Sequence, residues 1–230
     1  MKISDMKVDL KRVDGSDLDV VNAARVSFDK ESSWDVDFCH DGSVEQSLSE
    51  RDAKLIRYLA KHNHWTPFGH VGAQFRIKAP VFVARQLVKH QIGLVWNETS
   101  RRYVDTAPEV YFPATWRARA ENVKQGSADE AAPNQRSLQS LTQHHLERSL
   151  DLYDHMLKVG VAPEQARMVL PLNVHTEWVW TGSLAAWSRV CKLRLDPHAQ
   201  AEVREVAQQF DALLAPAFPV AWAALMDRPA

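Results

Sequence analysis

The spacing of apolar residues predicts a protein built from both strands and helices. Alternation of apolar and polar side chains predicts strands over residues 7–13, 71–79 and 172–180. Helical periodicity and capping residues predict helices from Ser16 to about Arg25, from Ser49 onward, over residues 81–91 and 138–159, from Ser183 onward, and from Asp196 and Pro197 onward. The pattern alone therefore predicts a mixed sheet flanked by helices.

The predicted helix over residues 81–91 carries the chemistry that distinguishes this chain. Val81, Ala84 and Val88 form its predicted apolar stripe. Pro80 presets the backbone of its first turn, and Gly93 is expected to end it. The segment that follows is predicted to be extended, so that alternating side chains contact a planar polar ligand from several sides; they are those of Asn97, Glu98, Ser100 and Arg102.

Positive charge is concentrated in the same segment. The whole chain has 28 Lys and Arg against 29 Asp and Glu, a formal net charge of -1. Residues 85–103, in contrast, contain Arg85, Lys89, Arg101 and Arg102 against Glu98 alone. Cations among His, Gln, Asn and Ser predict an anion-binding site, for which Arg is suited because its planar fork donates two hydrogen bonds at once. The alternative is a set of solvated charges on a helix face.

Composition narrows the class of protein. With 230 residues, of which 45% are hydrophobic, the chain is predicted to fold as one domain over residues 1–230, with a polar surface insertion near residues 118–137. It has no apolar run of membrane-spanning length and no signal-peptide core near Met1, so a cytoplasmic location is expected. Cys39 and Cys191 are expected to be free thiols, and no spacing predicts a metal site. Eight glycines form no phosphate-binding glycine loop.

Five segments in order resemble the flavin-dependent thymidylate synthases, the ThyX family. That family's signature is Arg-His-Arg, seven residues, then Ser; here it is Lys89-His90-Gln91, eight residues, then Ser100-Arg101-Arg102-Tyr103. The lead-in to the signature matches as well, as Lys78-Ala79-Pro80-Val81-Phe82-Val83-Ala84-Arg85-Gln86. The other matching segments are Ala23-Ala24-Arg25-Val26-Ser27-Phe28, His64-Trp65-Thr66-Pro67-Phe68-Gly69-His70, Ala166-Arg167-Met168-Val169-Leu170-Pro171-Leu172-Asn173 and Leu193-Arg194-Leu195-Asp196-Pro197-His198-Ala199-Gln200-Ala201-Glu202.

The resemblance implies both a fold and a reaction. The fold is the α/β (α+β) ThyX fold, a mixed or antiparallel sheet flanked by long helices in a single catalytic domain, assembled as a homotetramer with shared active sites. The reaction is the reductive methylation of dUMP to dTMP, in which methylenetetrahydrofolate supplies the carbon and NADPH supplies a hydride through FAD. No metal, nucleic acid or membrane partner is expected.

The resemblance also assigns the nucleotide site. Arg194 is the implied catalytic residue, because an Arg at the imide edge of uracil stabilises negative charge on the ring and raises electron density at C5; its alternative role is a favourable cation at a helix C-terminus. The implied substrate-binding residues are Gln86, Glu98, Ser100, Arg101, Arg102, Arg167 and Arg194. Arg167 precedes an apolar run, so it needs an anionic partner, either the ligand or an internal carboxylate.

For the flavin, the resemblance points to a second set of side chains. These are His64, Thr66, Lys89, His90, Gln91, Glu98, Ser183, Arg189 and His198. Ser183 and Arg189 stand where the family commonly has Asn, and Ala185 stands where it often has Arg. Together with Gln91, these departures imply that the adenine or pyrophosphate end of the cofactor is held differently in this chain.

Three alternatives remain at this level. One is a related flavoenzyme that modifies deoxyuridylate by a different one-carbon chemistry. Another is a noncatalytic nucleic-acid-binding protein that uses Arg101, Arg102 and nearby aromatics, although its near-neutral charge argues against it. The third is a slow or flavin-poor variant, to which Lys89, Gln91 and the extra residue of the signature would lead.

Overall fold

A computed structural model describes residues 1–39, 41, 43–104, 106–121 and 126–228. The predicted mixture of strands and helices is confirmed. The strands are β1 (Lys2–Ile3), β2 (Lys7–Asp14), β3 (Asp35–Phe38), β4 (Val44–Ser47), β5 (Gly72–Pro80), β6 (Leu94–Glu98), β7 (Glu109–Val110) and β8 (His175–Ser183). The helices are α1 (Asp17–Arg25), α2 (Glu50–Lys61), α3 (Val81–Leu87), α4 (Gln135–Lys158), α5 (Pro163–Ala166), α6 (Leu184–Arg194), α7 (Ala201–Ala217) and α8 (Pro219–Leu225).

The central sheet is antiparallel, with strand order β2-β5-β8-β6. Alternation along β5 turns Ala73, Phe75 and Ile77 towards the core. In β8 the equivalent inward positions are Trp178 and Trp180, which lie opposite Ile77 and Phe75. The sheet carries helices on this apolar face, where α6 and α7 pack against it. The β2-β5-β8 ladder thus fixes the strand ends from which α3 and α6 begin.

Aromatic side chains form a continuous cluster between the sheet and α7. Trp96 stacks on Trp178, with ring centroids 4.3 Å apart and an interplanar angle of 18°. Trp180 meets both Trp96 and Trp187 edge-to-face, at 5.2 and 4.9 Å. Phe210 of α7 closes the cluster against Trp187 at 5.1 Å. Offset and edge-to-face contacts of this kind add to the stabilisation from burial, so β6 is held to the sheet by packing as well as by its hydrogen bonds.

A short parallel pair, β1-β7, lies beside the end of β5 and is joined to it by ion pairs. Glu109 accepts hydrogen bonds from Lys2 and from Lys78 of β5. The hydrogen bond from Lys2 and then that from Lys78 lower the pKa of Glu109 to about 2. This carboxylate therefore stays charged and links the N-terminal strand to the central sheet.

Several element boundaries differ from the predicted ones. The helix predicted over residues 81–91 ends at Leu87, and it buries Val83, Ala84 and Leu87 rather than the stripe predicted from Val81, Ala84 and Val88. The third strand of the alternation pattern runs from His175 to Ser183, three residues later than predicted. The last long helix begins at Ala201, not at Asp196, because Asp196 Oδ1 accepts from the backbone N–H of His198 at 2.7 Å and closes a separate turn.

Two of the three serine caps form the predicted bonds. Ser49 Oγ accepts from the backbone N–H of Asp52, and Ser183 Oγ accepts from that of Ala186. Ser16 occupies the cap position of α1, but its hydroxyl donates to the Asp19 carboxylate instead. Helix α4 begins at Gln135, so the last three residues of the predicted insertion belong to that helix, and residues 122–125 lie outside the described part of the chain.

Among the helices of the described residues, none combines the length and the apolar character required to cross a membrane.

Candidate functional site

Arg194, the last residue of α6, reaches the end of α3. Its Nη2 donates to the backbone carbonyl of Gln86 at 3.1 Å, and its Nε donates to His90 Nε2 at 3.0 Å. The Gln86 carbonyl would otherwise accept the helical bond from the His90 backbone N–H, which instead bonds to Leu87 O at 3.0 Å. At the early end of α3, Arg194 thus bonds to the carbonyl that a further helical turn would use. Lys89, His90 and Gln91 consequently lie in a turn after the helix.

The environment of His90 favours its neutral form. Burial is the largest cause of its lowered pKa, followed by the charges of Arg194 and Arg189. A neutral His90 accepts the Arg194 hydrogen bond at Nε2, so its proton lies on Nδ1. Burial also lowers the pKa of Arg194, whose guanidinium still remains a cation at neutral pH. The pair therefore holds a partly desolvated positive charge in a fixed orientation.

Close backbone contacts define the neighbouring turn at Gly93. Its φ is +77°, and an added Cβ would lie 3.1 Å from Ala186 Cβ and 3.3 Å from Ser183 Oγ. Arg189 of α6 donates to the carbonyl of Ile92 at 2.9 Å, directly before this glycine. The turn after α3 is therefore fixed to the first half of α6. It brings together four of the predicted flavin residues: His90, Gln91, Ser183 and Arg189.

A cavity of about 590 Å³ lies at the other end of β8. Three predicted substrate residues line it, namely Glu98, Arg101 and Arg167. Its wall also contains Lys78, Glu109 and Glu177, so that three cations face three carboxylates, while Leu170, Pro171 and Leu172 supply apolar surface. A cavity of this kind, with opposed charged groups and an apolar side, can hold a small polar molecule.

Hydrogen bonds fix the Glu98 carboxylate and the turn that follows β6. Glu98 accepts from Thr176 at 2.6 Å and from the Trp96 indole at 3.2 Å, which orients its carboxylate at the end of β6. The predicted extended segment stops there, because Ser100 starts a turn closed by the Tyr103 N–H. Within that turn, Ser100 Oγ accepts from Arg102 Nε at 3.2 Å.

Of the two arginines in the cavity wall, Arg101 is half-buried and Arg167 is exposed. Arg101 donates to the carbonyl of Thr106 at 2.9 Å, and Arg167 donates to the carbonyl of Glu164 at 3.3 Å. The internal ion pair considered for Arg167 is not among the salt bridges of the described residues. Lys89 is exposed. His198 is also exposed and bonds to Asp196, apart from the turn at Gly93.

The predicted flavin residues His64 and Thr66 lie in a loop between α2 and β5. The His64 ring is 6.0 Å from that of Tyr58, in an edge-to-face arrangement. Thr66 precedes a 3₁₀ turn over Pro67–Gly69, whose residues pack against α1 and α6. The loop is therefore anchored to the helix that carries Ser183, Arg189 and Arg194, and it leaves the ring of Trp65 exposed.

The cysteines are poorly suited to nucleophilic attack. Burial raises the pKa of Cys191, which lies in α6 beneath α7 and accordingly remains a thiol. Cys39 is half-buried at the end of β3, where its backbone N–H donates to Ser43. Attack of a thiolate on C6 of a pyrimidine needs an activated, accessible cysteine. The positions of the two cysteines therefore favour activation of the ring by Arg194.

Sequence analysis missed several polar residues that line or support the site. His175 of β8 lines the cavity and is buried, with Nε2 bonded to the carbonyl of Ser4 at 3.0 Å. Gln200 bonds to Gln86, and Glu202 bonds to Gln200 and to Arg117. Gln200 and Glu202 belong to one of the five matching segments, but only the structure shows that Gln200 reaches Gln86 of α3 and that Glu202 bonds to Gln200. No local signal in the sequence links Arg117 to it.

A family model and individual relatives place this chain in the same family. Residues 10–220 match the family model described as thymidylate synthase complementing protein. A flavin-dependent thymidylate synthase of Kosmotoga olearia is 36% identical over 95% of this chain and 89% of its own length. One from Thermus thermophilus is 39% identical over 93% of this chain and 73% of its own length.

A solved structure extends the similarity to the fold. The UMP/dUMP methylase PolB from Streptomyces cacaoi, bound with 5-Br dUMP, superposes with a TM-score of 0.83 at 28% identity, over 99% of this chain and 98% of PolB. Both the sequence and the fold agree with the resemblance drawn from the five segments. The chain therefore belongs to the ThyX family of flavin-dependent thymidylate synthases.

Proposed function

We propose that this protein methylates dUMP to dTMP as a flavin-dependent thymidylate synthase, with FAD as cofactor, methylenetetrahydrofolate as carbon donor and NADPH as reductant. The observation that carries the proposal is Arg194, which matches the family's catalytic position and is held at the end of α3 by Gln86 and His90. Membership of the family over residues 10–220 supports the same reaction.

Arg194 is suited to activate the uracil ring. Its guanidinium is partly desolvated, and the neutral His90 adds no competing positive charge. A fixed cation beside the imide edge stabilises the negative charge that develops on the ring during attack by C5, and it does so without reorganisation. In this mechanism Arg194 makes C5 nucleophilic by electrostatics, and no enzyme thiolate is required.

The residues of the turn at Gly93 fit a flavin. Ser183 and Arg189 supply a hydroxyl and a guanidinium beside backbone that a Cβ would obstruct, which suits close approach by a planar or phosphorylated group. We assign His90, Gln91, Ser183 and Arg189 to one part of the cofactor, and His64, Thr66, Lys89, Glu98 and His198 to contacts completed in the assembly. A bound flavin would supply the hydride transfer that reduces the transferred carbon.

We further propose that the active protein is a homotetramer. The predicted site residues fall into separate groups in one chain: the turn at Gly93, the cavity with Glu98, Arg101 and Arg167, and the His64 loop. Exposed apolar residues on α4 and on the turn after β6 would be covered by neighbouring subunits. Assembly would then bring the groups of different subunits into one site.

A second substrate, UMP, is favoured by one observation. The solved protein with a TM-score of 0.83 is a UMP/dUMP methylase, and its complex with 5-Br UMP superposes with a TM-score of 0.81. The two nucleotides differ only in the 2′-hydroxyl, so a single pocket residue can decide between them. The identities of 36% and 39% with the thymidylate synthases favour dUMP.

The test is an absorbance spectrum of the purified protein before and after FAD, followed by anaerobic addition of NADPH with and without each nucleotide. Flavin bands whose bleaching accelerates with dUMP, and dTMP formed on adding methylenetetrahydrofolate, are the expected results. Equal or faster conversion of UMP would assign the ribonucleotide instead. A colourless protein that ignores FAD would contradict the proposal and favour a flavin-poor variant.

A further inference from the structure

Gln86 begins a chain of side-chain hydrogen bonds that leads away from the candidate site. Its Nε2 donates to Gln200 Oε1. Gln200 Nε2 donates to Glu202 Oε2 at 3.0 Å. Arg117 Nη2 then donates to both Glu202 oxygens, at 2.7 and 2.9 Å. These four residues, Gln86, Gln200, Glu202 and Arg117, form what we call the amide relay.

The charged end of the amide relay is fixed. The Glu202 side chain is 8% exposed, and it lies in the first turn of α7, where a negative charge is favourable. Burial opposes its ionisation, but the hydrogen bonds from Arg117, from its own backbone and from Gln200 outweigh burial and lower its pKa. Glu202 is therefore a carboxylate at neutral pH, and a carboxylate only accepts hydrogen bonds.

That charge determines the direction of both amides. Because Glu202 only accepts, Gln200 must turn its NH₂ towards it and its oxygen towards Gln86. Because that oxygen only accepts, Gln86 must in turn donate with its own NH₂. The oxygen of the Gln86 amide is left facing away from the relay, and no hydrogen bond of the described residues uses it. The Glu202 carboxylate, two hydrogen bonds from Gln86, thus determines which end of the Gln86 amide faces a ligand.

We infer that Gln200 is a positioning residue, which with Glu202 and Arg117 orients Gln86 so that its amide oxygen accepts a hydrogen bond from the bound nucleotide. This rests on the proposed role of Gln86 in nucleotide binding. A pyrimidine nucleotide has two donors that suit it, the imide N3–H and the 3′-hydroxyl. A site built to accept from such a group rejects an analogue that lacks it, since the acceptor is then left unpaired.

The relay also gives a role to the polar segment before α4. Arg117 Nε donates to Ser127 Oγ at 2.6 Å, and Arg117 forms an isolated bridge with Ala131. Ala118 and Glu130 are joined by a backbone bond of 2.8 Å. The segment therefore fixes the cation that keeps Glu202 charged, and it connects surface structure to the specificity of the site.

The experiment measures equilibrium dissociation constants by calorimetry, with the FAD-loaded protein and three nucleotides. These are dUMP, dCMP, which lacks N3–H, and 2′,3′-dideoxyuridine monophosphate, which lacks the 3′-hydroxyl. The wild-type protein is expected to bind one analogue about tenfold more weakly than dUMP because its acceptor is unpaired. Because the imide edge is also proposed to lie beside Arg194, the donor that Gln86 contacts is identified by the analogue whose weaker binding disappears in Gln86→Ala.

Glu202→Gln and Gln200→Ala test the relay. Each variant permits the side-chain amide of Gln86 to flip and exchange its oxygen and NH₂. The tenfold discrimination between dUMP and the analogue is then expected to shrink to about twofold. Glu205→Gln, which neutralises another carboxylate of α7, is the matched control and should keep it. Gln200→Ala leaves the Arg117–Glu202 pair intact, so it tests the relay even if Glu202→Gln fails to fold. Thermal unfolding of each variant shows whether it is folded.

The outcomes separate the inference from the function on which it rests. If Gln86→Ala weakens dUMP binding but both relay variants retain full discrimination, the relay is refuted and the role of Gln86 stands. If Gln86→Ala leaves dUMP binding unchanged, the nucleotide role of Gln86 is wrong, and the relay fails with it. Loss of discrimination in both relay variants, with the control unchanged, supports the inference.

Discussion

At the scale of single residues, the chemistry of this protein depends on which atoms are already occupied. Arg194 uses two of its nitrogens on Gln86 and His90, and the position of its charge is thereby fixed. Gln86 contributes its backbone carbonyl to Arg194 and its side chain to Gln200. One residue of α3 therefore supports the predicted catalytic arginine and, through its amide, the proposed recognition of substrate.

Arg194→Ala should lower the rate of turnover severely while leaving flavin bound. Removing a fixed charge that stabilises the developing anion is expected to lower kcat by about 10²–10³-fold. Turnover of dUMP and the flavin absorbance of the purified variant are the two measurements. Lys192→Ala, on the same helix and paired with Asp227, is the control. An active Arg194→Ala enzyme would remove this residue from the mechanism.

His90 should make stability depend on pH. Because its pKa is lowered in the folded protein, the unfolded chain binds the proton more readily. The stabilisation from a neutral His90 is then fully present above its ordinary pKa of about 6.5 and is lost as the pH falls towards the lowered value.

His90→Gln should therefore reduce the loss of unfolding free energy between about pH 7.5 and about pH 5.5, as measured by urea denaturation. His198→Gln, at an exposed position, should leave that loss unchanged. His175, whose pKa burial also lowers, contributes to the dependence that remains. A His90→Gln profile identical to the wild-type one would show that folding does not lower the pKa of His90.

At the scale of elements, the site depends on how closely β5 and β8 approach at Gly72. A Cβ on this glycine would lie 2.2 Å from the carbonyl oxygen of Gly182, which is backbone and cannot move aside. Gly72 pairs with Ser183, the residue that caps α6. The same contact that brings the strands together thus positions the first turn of the helix carrying Arg189 and Arg194.

Gly72→Ala is expected to destabilise the protein by about 1–3 kcal/mol, as overpacking does when the neighbour is rigid. It should also weaken flavin retention, because Ser183 is displaced with the strand. Thermal unfolding and the flavin content of the purified variant provide the measurements. Gly69→Ala, whose nearest neighbour would be the Trp65 ring at 3.4 Å, is the matched control. Equal unfolding temperatures for both variants would contradict the argument.

Elements with a local cause could be predicted from the sequence, whereas boundaries with a distant cause could not. Alternation gave β2 and β5 nearly to the residue, and Ser49 and Ser183 marked the starts of α2 and α6. The end of α3 was misplaced, and there the carbonyl of Gln86 bonds to Arg194, 108 positions away along the chain, a contact that no local pattern shows. The relay was missed for the same reason, since Arg117 and Glu202 are 85 positions apart. The segments of the resemblance identified the family, although the role of each site residue stays a prediction.

At the scale of the whole molecule, α4 is the least covered long element. It has 24 residues and buries only Leu146 and Tyr153 among those described. Leu138, Leu141 and Leu152 recur at helical spacing on another side and are exposed. An apolar stripe on a long surface helix is typical of a subunit interface, which agrees with the proposed homotetramer.

Leu141→Glu should shift the protein from a tetramer towards smaller species, because it buries a charge in the proposed interface. Light scattering coupled to size exclusion measures the mass directly. Ser140→Glu adds the same charge at the neighbouring exposed position and should leave the tetramer intact. A wild-type monomer, or a tetramer that tolerates Leu141→Glu, would contradict this interface.

The stacked indoles of Trp96 and Trp178 have an optical consequence. Two chromophores 4.3 Å apart with nearly parallel rings share their excited states, so the far-ultraviolet circular dichroism should contain a pair of bands of opposite sign. Trp96→Phe should remove the contribution of this pair, while that of Trp180 with Trp187, whose ring centroids are 4.9 Å apart, and the helical signal persist. Because the Trp96 indole also donates to Glu98, a predicted nucleotide contact, the couplet would change as dUMP binds. The protein thus carries its own spectroscopic probe at the edge of the proposed site, and no external label is required.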